Sequence, residues 1–230
     1  MKGNSGIIQK TTLTFLRDLD KHNDRDWFLA HKERYQVALE NMRDFAGALI
    51  ERMNRHDRIE TPSGKASLQR IYNDQRFHKD RPPYNPRFGG GLARVKPALR
   101  GGYYFSIKPG ASFIACGFFG PEAEDLKRIR TDIMYEPETW ERLLKGKTLR
   151  KHLGELQGKQ LKTAPRGFPK DHEAIELLRH TQFLFRHSFT DKEVLAPGFA
   201  DAVSASFKSV RPLFDHFSAV LTTDANGNPL

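Results

Sequence analysis

The side chains best suited to chemistry lie between positions 70 and 84, where charged and aromatic residues alternate. The alternation predicts a strand over residues 70–77, with Arg70, Tyr72, Asp74 and Arg76 on one face. A face with two guanidinium groups, a carboxylate and a phenol is costly to form unless those groups pair with one another or meet a ligand. The segment therefore predicts a site, although it does not indicate a reaction.

The charged residues of this segment have roles that their chemical types allow. Arg70 and Arg76 could hold a phosphate or carboxylate bidentately, and Lys79 could add a point charge. Asp74 and Asp80 could orient those cations or act as general acid or base. The alternative is that the same charges close on one another as an internal salt-bridge network.

The net charge of +10 is concentrated in two blocks of the chain. Residues 65–108 hold ten Lys and Arg against only Asp74 and Asp80, a balance of +8. Residues 145–170 hold eight basic residues against Glu155, a balance of +7. This asymmetry favours an anionic partner. The second block, with the helix start that follows it, adds Arg166 and His172 to the candidate site.

The common catalytic and cofactor-binding patterns are missing from the sequence. The nine histidines form no His-x-x-x-His pair and one cysteine cannot form a thiolate cluster, so no metal site is predicted. Gly89-Gly-Gly91 lacks the setting of a dinucleotide-binding loop, and we interpret it as a loop hinge. Cys116 lies in an apolar run and is expected to be a small buried hydrophobic residue. The sequence leaves any cofactor undetermined.

Apolar residues at intervals of three and four predict helices at both ends of the chain. The predicted helices cover residues 11–20 and 25–54, follow Pro121 and Pro137, run through 175–178 and begin again at Gly198. Pro212 lies inside the last helix and is expected to kink it. His31 lies inside the long N-terminal helix and is expected to be a hydrogen-bonded residue at the edge of the core.

The strand signals are strongest in the middle of the chain. Two β-rich runs, 102–108 and 112–119, flank Pro109-Gly110-Ala111 and predict a hairpin. Residues 182–189 alternate weakly and predict a further strand. Residues 85–91 end in three glycines and are predicted to be a flexible loop of the kind that covers a site.

The order of elements predicts an α+β fold, because helices, strands and mixed elements follow one another without a strand-helix-strand rhythm. We expect a mainly antiparallel sheet packed with long N-terminal and C-terminal helices. The expected organisation is a tail at 1–10, one domain at 11–223 and a tail at 224–230. The chain has no run of about 18 apolar residues, so no membrane partner is expected. Its single cysteine fits a reducing compartment, and we expect a cytoplasmic protein.

An ordered set of residues from Phe15 to about Pro212 is more specific than any short motif in the chain. It includes Trp27-Phe28, Arg70-Ile71, Asp74, Arg76-Phe77, Lys79-Asp80, Pro83-Tyr84, Gly102-Tyr103-Tyr104, Pro165-Arg166-Gly167-Phe168 and Asp171-His172. This set resembles the family catalogued as domain of unknown function 2461. The resemblance implies an α+β domain and implies no substrate, cofactor or catalytic residue.

These observations lead to one hypothesis and two alternatives. The hypothesis is a basic polar pocket for a small anion that bears phosphate or carboxylate, with enzymatic activity left open. The predicted ligand-binding residues are Arg70, Asp74, Arg76, Lys79, Asp80, Tyr84, Arg166 and His172. One alternative is a non-catalytic nucleic-acid-binding protein, because aromatic and basic residues interleave over 65–108 and could stack on bases. The other is a protein-interaction module in which the charges form a structural network. The oligomeric state is undetermined.

Overall fold

The computed structural model describes residues 6–74 and 81–223. Within these residues the chain forms eleven helices and four strands, which confirms the predicted α+β class. The helices are α1 (Lys10–Lys21), α2 (Arg25–Ala30), α3 (Lys32–Met53), α4 (Gly64–Ser67), α5 (Ala123–Tyr135), α6 (Pro137–Leu144), α7 (Lys147–Leu153), α8 (Ile175–Leu178), α9 (Asp191–Val194), α10 (Phe199–Ser209) and α11 (Arg211–Thr222). The strands are β1 (Phe88–Ala93), β2 (Gly102–Ile107), β3 (Ser112–Phe118) and β4 (Phe183–Phe189). None of the helices in these residues is long and apolar enough to cross a membrane.

The four strands form one antiparallel sheet in the order β1-β2-β3-β4. The predicted hairpin is confirmed as β2 and β3. Its turn is closed by the Ala111 amide, which donates to the Lys108 carbonyl at 2.9 Å. Gly110 takes a φ of +72°, which glycine adopts without the steric cost that other residues meet. The strand predicted at 182–189 is confirmed as β4.

Strand β1 lies where the sequence predicted a flexible loop, so the interpretation of Gly89-Gly-Gly91 as a hinge is wrong. Gly89 and Gly90 are buried. A Cβ atom on Gly90 would lie 2.3 Å from Cζ of Phe105 on β2. The glycine therefore allows an aromatic ring of the neighbouring strand to pack over the β1 backbone. Glycine at this position serves close packing rather than flexibility.

The helix predicted over residues 25–54 is interrupted at His31. Asp24 caps α2 by accepting a hydrogen bond from the Trp27 amide at 2.8 Å. His31 leaves helical geometry with a φ of −113° and a ψ of 21°. Its ring Nδ1 donates to the Trp27 carbonyl at 2.8 Å, and the ring stacks on the Trp27 indole at 4.1 Å. His31 is thus a hydrogen-bonded residue at the edge of the core, as predicted.

Contacts within the chain divide it into two compact units. The first comprises Met1–Leu92, Tyr104–Ile114 and Ser188–Ser204. Its core is built on α3, where Phe45 packs edge-on against Phe105 at 5.3 Å and stacks with Phe199 at 5.6 Å. The buried stripe of α3 has the helical spacing seen in the sequence. The expectation of a single domain over 11–223 stays a prediction.

The second unit comprises Ala93–Tyr103, Ala115–His187 and Ala205–Leu230. Its core surrounds the fully buried Trp140, whose ring lies 5.2 Å from Phe217 and 6.0 Å from Phe183. Cys116 is also fully buried, as predicted, and burial raises the pKa of its thiol. Pro212 does not kink one helix. It occupies the first turn of α11, where proline's missing amide hydrogen costs no helical hydrogen bond.

Candidate functional site

The chain around the predicted site pairs with itself through isolated bridges rather than a regular strand. Tyr72 bridges Tyr84 in antiparallel fashion, the Asn73 amide donates to the Pro83 carbonyl at 2.9 Å, and the Asn85 amide donates to the Ile71 carbonyl at 2.7 Å. The prediction of a strand is therefore wrong over residues 70–74, and residues 75–77 lie outside the described part of the chain. The physical reason is proline, which has no amide hydrogen with which to continue a ladder.

The described residues of the predicted site differ in exposure. Arg70 and Asp74 are exposed, whereas Tyr84 is buried. Within residues 6–74 and 81–223, Arg70 makes no hydrogen bond or ion pair. The remaining predicted residues of this segment, Arg76, Lys79 and Asp80, lie outside the described residues.

Tyr84 belongs to the aromatic core of the first unit. Its ring stacks on Phe28 with 4.0 Å between centroids and 12° between planes. The Asn23 side chain holds its backbone, accepting from the Tyr84 amide at 3.1 Å and donating to the Tyr84 carbonyl at 2.9 Å. Burial raises the pKa of the Tyr84 phenol, with the nearby Tyr72 as a smaller cause. Tyr84 therefore stays neutral and anchors the end of the segment.

Arg166 and His172 both lie in the second unit. Arg166 is exposed and His172 is half-buried. Nδ1 of His172 accepts from the Ala174 amide at 3.1 Å, and Nε2 donates to the Met134 carbonyl at 3.1 Å. Since both ring nitrogens have protein partners, His172 fastens the segment before α8 to the end of α5.

A polar group that the sequence did not predict lies in the first unit, and we call it the Gly89 cluster. It consists of Gln69, Arg87 and Tyr104, which meet directly over Gly89. Nη1 of Arg87 donates to the Tyr104 hydroxyl and, at 3.4 Å, to Oε1 of Gln69. The Tyr104 hydroxyl donates to the same Gln69 oxygen at 3.2 Å. A Cβ on Gly89 would lie 2.3 Å from Nη1 of Arg87 and 2.4 Å from the Tyr104 hydroxyl oxygen, so only glycine leaves room for the cluster.

The Gly89 cluster leaves donor groups unused. A guanidinium carries five N–H donors in a planar fork. Within the described residues only Nη1 of Arg87 has partners, both of them uncharged, and its Nε and Nη2 make no hydrogen bond. Ser106 follows Tyr104 by two residues on β2, so the two side chains share a face of the strand. Ser106 is 1% exposed, and its hydroxyl has no partner among the described residues.

The chemistry available to the cluster is that of hydrogen-bond donors. It contains a guanidinium, a phenol and a carboxamide, with a serine hydroxyl on the same strand face and no carboxylate or imidazole. Within residues 6–74 and 81–223, no three His, Cys, Asp or Glu side chains are grouped as metal ligands. The cluster therefore suits an oxyanion rather than a cation.

The sequence did contain a signal for this cluster. Arg87 belongs to the first basic block and directly precedes Phe88 and the three glycines. A glycine inside a strand often marks the close approach of another group to the backbone. Three consecutive glycines also favour a loop, so this signal alone does not identify the cluster.

Two other cations of the first basic block are used inside the second unit. The Arg94 side chain is fully buried and donates to Asp215 at 2.8 Å and to the Arg100 carbonyl at 2.7 Å. Arg100 forms an ion pair with Asp125. These arginines stabilise the fold, so the block's charge of +8 overstates the positive charge available to a ligand.

A groove of about 560 Å³ in the second unit is lined mainly by acidic residues, whereas the sequence predicted positive charge over residues 145–170. Two basic residues line it, Lys145 and Arg150. Five glutamates outnumber them: Glu138, Glu141, Glu155, Glu173 and Glu176. Neither Arg166 nor His172 lines it. Glutamates from the flanking helices α6 and α8 enter the groove beside the basic block, so this groove does not suit an anion.

The fold and the cluster define an α+β protein in which the Arg87 guanidinium, next to the sheet, has donors without partners among the described residues. Residues 11–216 match the family model described as "Conserved hypothetical protein (DUF2461)". The match covers most of the chain, and the protein belongs to this family, which confirms the resemblance seen in the sequence. The comparisons with curated proteins and with solved structures gave no match.

Proposed function

We propose that the protein binds a small anion, bearing phosphate or carboxylate, at the Gly89 cluster. The observation that carries this proposal is the Nε and Nη2 edge of Arg87, which has no partner among the described residues. Such an edge matches the two oxygens of a carboxylate or phosphate in a bidentate pair. The proposal concerns binding and assigns no reaction.

The surroundings of Arg87 support this assignment. Tyr104 and Gln69 both engage Nη1, so they fix the plane of the guanidinium before a ligand arrives. Such preorganisation lowers the entropy that binding must overcome. Arg70 directly follows Gln69 in the chain and is exposed. Of the residues predicted from the sequence, it is the one closest in the chain to the cluster. Participation of Asp74, Arg76, Lys79, Asp80, Tyr84, Arg166 and His172 stays a prediction.

Isothermal titration with inorganic phosphate, pyrophosphate and citrate tests the proposal. Arg87→Met keeps the length of the side chain and removes its donors, and we expect it to weaken binding about 10- to 100-fold, the loss of charge-assisted hydrogen bonds. Arg34→Met is the matched control, because Arg34 is an exposed arginine of the same unit that already pairs with Asp18. Equal affinity in wild type and Arg87→Met, or an equal loss in Arg34→Met, would contradict the proposal.

A second candidate function, the binding of single-stranded nucleic acid, is favoured by one contact. The rings of Tyr104 and Phe113 lie 6.0 Å apart on β2 and β3, and both are half-buried beside the cluster. Bases stack on such rings with about 1–3 kcal/mol each. If the protein has this function, its affinity for a labelled oligonucleotide should fall steeply as the salt concentration rises, and it should be lower in Tyr104→Ser than in the wild type. Affinity independent of salt would exclude it and leave the small-anion proposal standing.

A further inference from the structure

An ordered set of polar contacts lies at the junction of α5, α6 and α11 in the second unit, apart from the Gly89 cluster. Nε2 of His216 on α11 donates to Oδ2 of Asp132 on α5 at 2.7 Å. The same oxygen accepts from Nε1 of Trp140 on α6, also at 2.7 Å. The Trp140 ring meets the His216 imidazole edge-on at 5.1 Å. The indole and the imidazole together fix the orientation of the carboxylate.

This arrangement determines where the proton sits on the imidazole. A carboxylate only accepts hydrogen bonds, so in neutral His216 the nitrogen that faces Asp132 carries the hydrogen. Nδ1 is then the acceptor, and none of the described residues bonds to it. The side chains of His216 and Asp132 are 21% and 24% exposed, so solvent and small molecules reach the pair.

His216 and Asp132 line a groove of about 440 Å³ between α5 and α11. Three more charged residues line it, Glu124, Lys127 and Arg128. Lys127 is exposed and forms no ion pair within the described residues. Arg128 approaches Glu124 only to 3.7 Å, beyond hydrogen-bond distance. The groove thus places two cations, with the Glu124 carboxylate beside them, near an imidazole whose Nδ1 has no partner among the described residues.

We propose that His216 and Asp132 form a proton-transfer dyad and that the groove between α5 and α11 binds a small ester with a negative charge. Lys127 and Arg128 attract the charge. Nδ1 of His216 takes a proton from water as the water oxygen forms a bond to the ester carbonyl carbon. The bond to the leaving alkoxide then breaks, and the alkoxide takes the proton from the imidazolium. The products are an acid and an alcohol. Asp132 holds the required tautomer and stabilises the imidazolium, a role well known for a carboxylate behind a histidine base.

Hydrolysis of mono-p-nitrophenyl succinate, an anionic ester, by the full chain tests the proposal, with neutral p-nitrophenyl acetate as comparison. His216→Asn removes the base, and we expect kcat/KM for the anionic ester to fall roughly 100-fold or more. Asp132→Asn removes the negative charge that stabilises the imidazolium, while its amide oxygen can still accept from Trp140 and His216, so kcat/KM for the anionic ester should also fall.

The control variant is His152→Asn, which changes another histidine of the same unit, one that contacts Ser206 at 3.3 Å. Its activity should match the wild type. If His216→Asn does not fold, Lys127→Ala decides, because this residue is exposed. Lys127→Ala should raise KM for the anionic ester and so reduce the preference for the anionic over the neutral ester. A wild-type rate equal to that of His216→Asn, an equal loss in His152→Asn, or an unchanged preference for the anionic ester in Lys127→Ala would overturn the proposal.

Discussion

The guanidinium of Arg94 is fully buried, and Asp215, to which it donates at 2.8 Å, has a half-exposed side chain. Arg94 also lies over the ring of Phe214, 5.4 Å from its centroid. Arg94 and Asp215, the latter on α11, both belong to the second unit. Because a buried cation is costly without its counter-charge, this pair is a sensitive point of the fold.

Asp215→Ala should therefore destabilise the protein strongly, by about 3 kcal/mol, since it removes the counter-charge of a buried guanidinium. Glu141→Ala is the control, because Glu141 pairs with Lys145 at the exposed surface, where ion pairs contribute little to stability. Urea denaturation measures both free energies of unfolding. Similar losses in the two variants would show that burial of Arg94 does not govern the stability of this pair.

Gly89→Ala should disrupt the Gly89 cluster, because its Cβ would overlap Nη1 of Arg87 and the Tyr104 hydroxyl. We expect a loss of about 1–3 kcal/mol, typical of overpacking, together with loss of anion binding. Gly120→Ala is the matched control, since no atom lies within 4 Å of its added Cβ. Thermal denaturation and titration with phosphate measure the two effects. A Gly89→Ala protein with wild-type stability and binding would refute the packing account.

The stability of the second unit should depend on the neutral state of His180. Burial lowers the pKa of this imidazole below its ordinary 6.5, because it is 6% exposed. Its Nδ1 donates to the Gln182 carbonyl at 3.1 Å, and its Nε2 accepts from the Gln160 amide at 2.5 Å. A depressed pKa means that the unfolded chain binds the proton more readily. The stabilisation that neutral His180 gives the folded state is therefore present above pH 6.5 and is lost as pH falls through the lower pKa of the folded state.

The free energy of unfolding should consequently fall more steeply between pH 7.5 and 5 in the wild type than in His180→Gln. Chemical denaturation at a series of pH values measures the difference. His22→Gln changes an exposed histidine and should leave the wild-type slope intact. Parallel profiles for the wild type and His180→Gln would show that His180 does not contribute.

Cys116 should be unreactive in the native protein. It is fully buried, burial raises the pKa of its thiol, and the thiolate is the reactive form. In an Ala111→Cys variant the new thiol lies at an exposed position of the hairpin turn. Labelling with a chromogenic disulfide should modify one thiol at once and the second only at the rate of unfolding. Immediate labelling of both thiols would contradict the burial of Cys116.

The local elements that the sequence predicted correctly are those whose signals lie within a few residues. The hairpin of β2 and β3 follows from two β-rich runs around Pro109-Gly110. The apolar spacing of α3 likewise gave its buried face, including Phe45. Strand β1 was missed because its three glycines favour a loop locally. The ring of Phe105, which makes glycine necessary there, comes from another strand.

The sequence by itself determined the family, the α+β class and the concentration of positive charge. Only the tertiary structure decided which charges are available to a ligand. It buries Arg94 against Asp215, leaves one edge of Arg87 without a partner among the described residues, and brings Asp132 and His216 together from positions 84 residues apart. Charge and periodicity can be read along the chain, whereas pairing depends on contacts between distant residues, which composition and spacing do not specify.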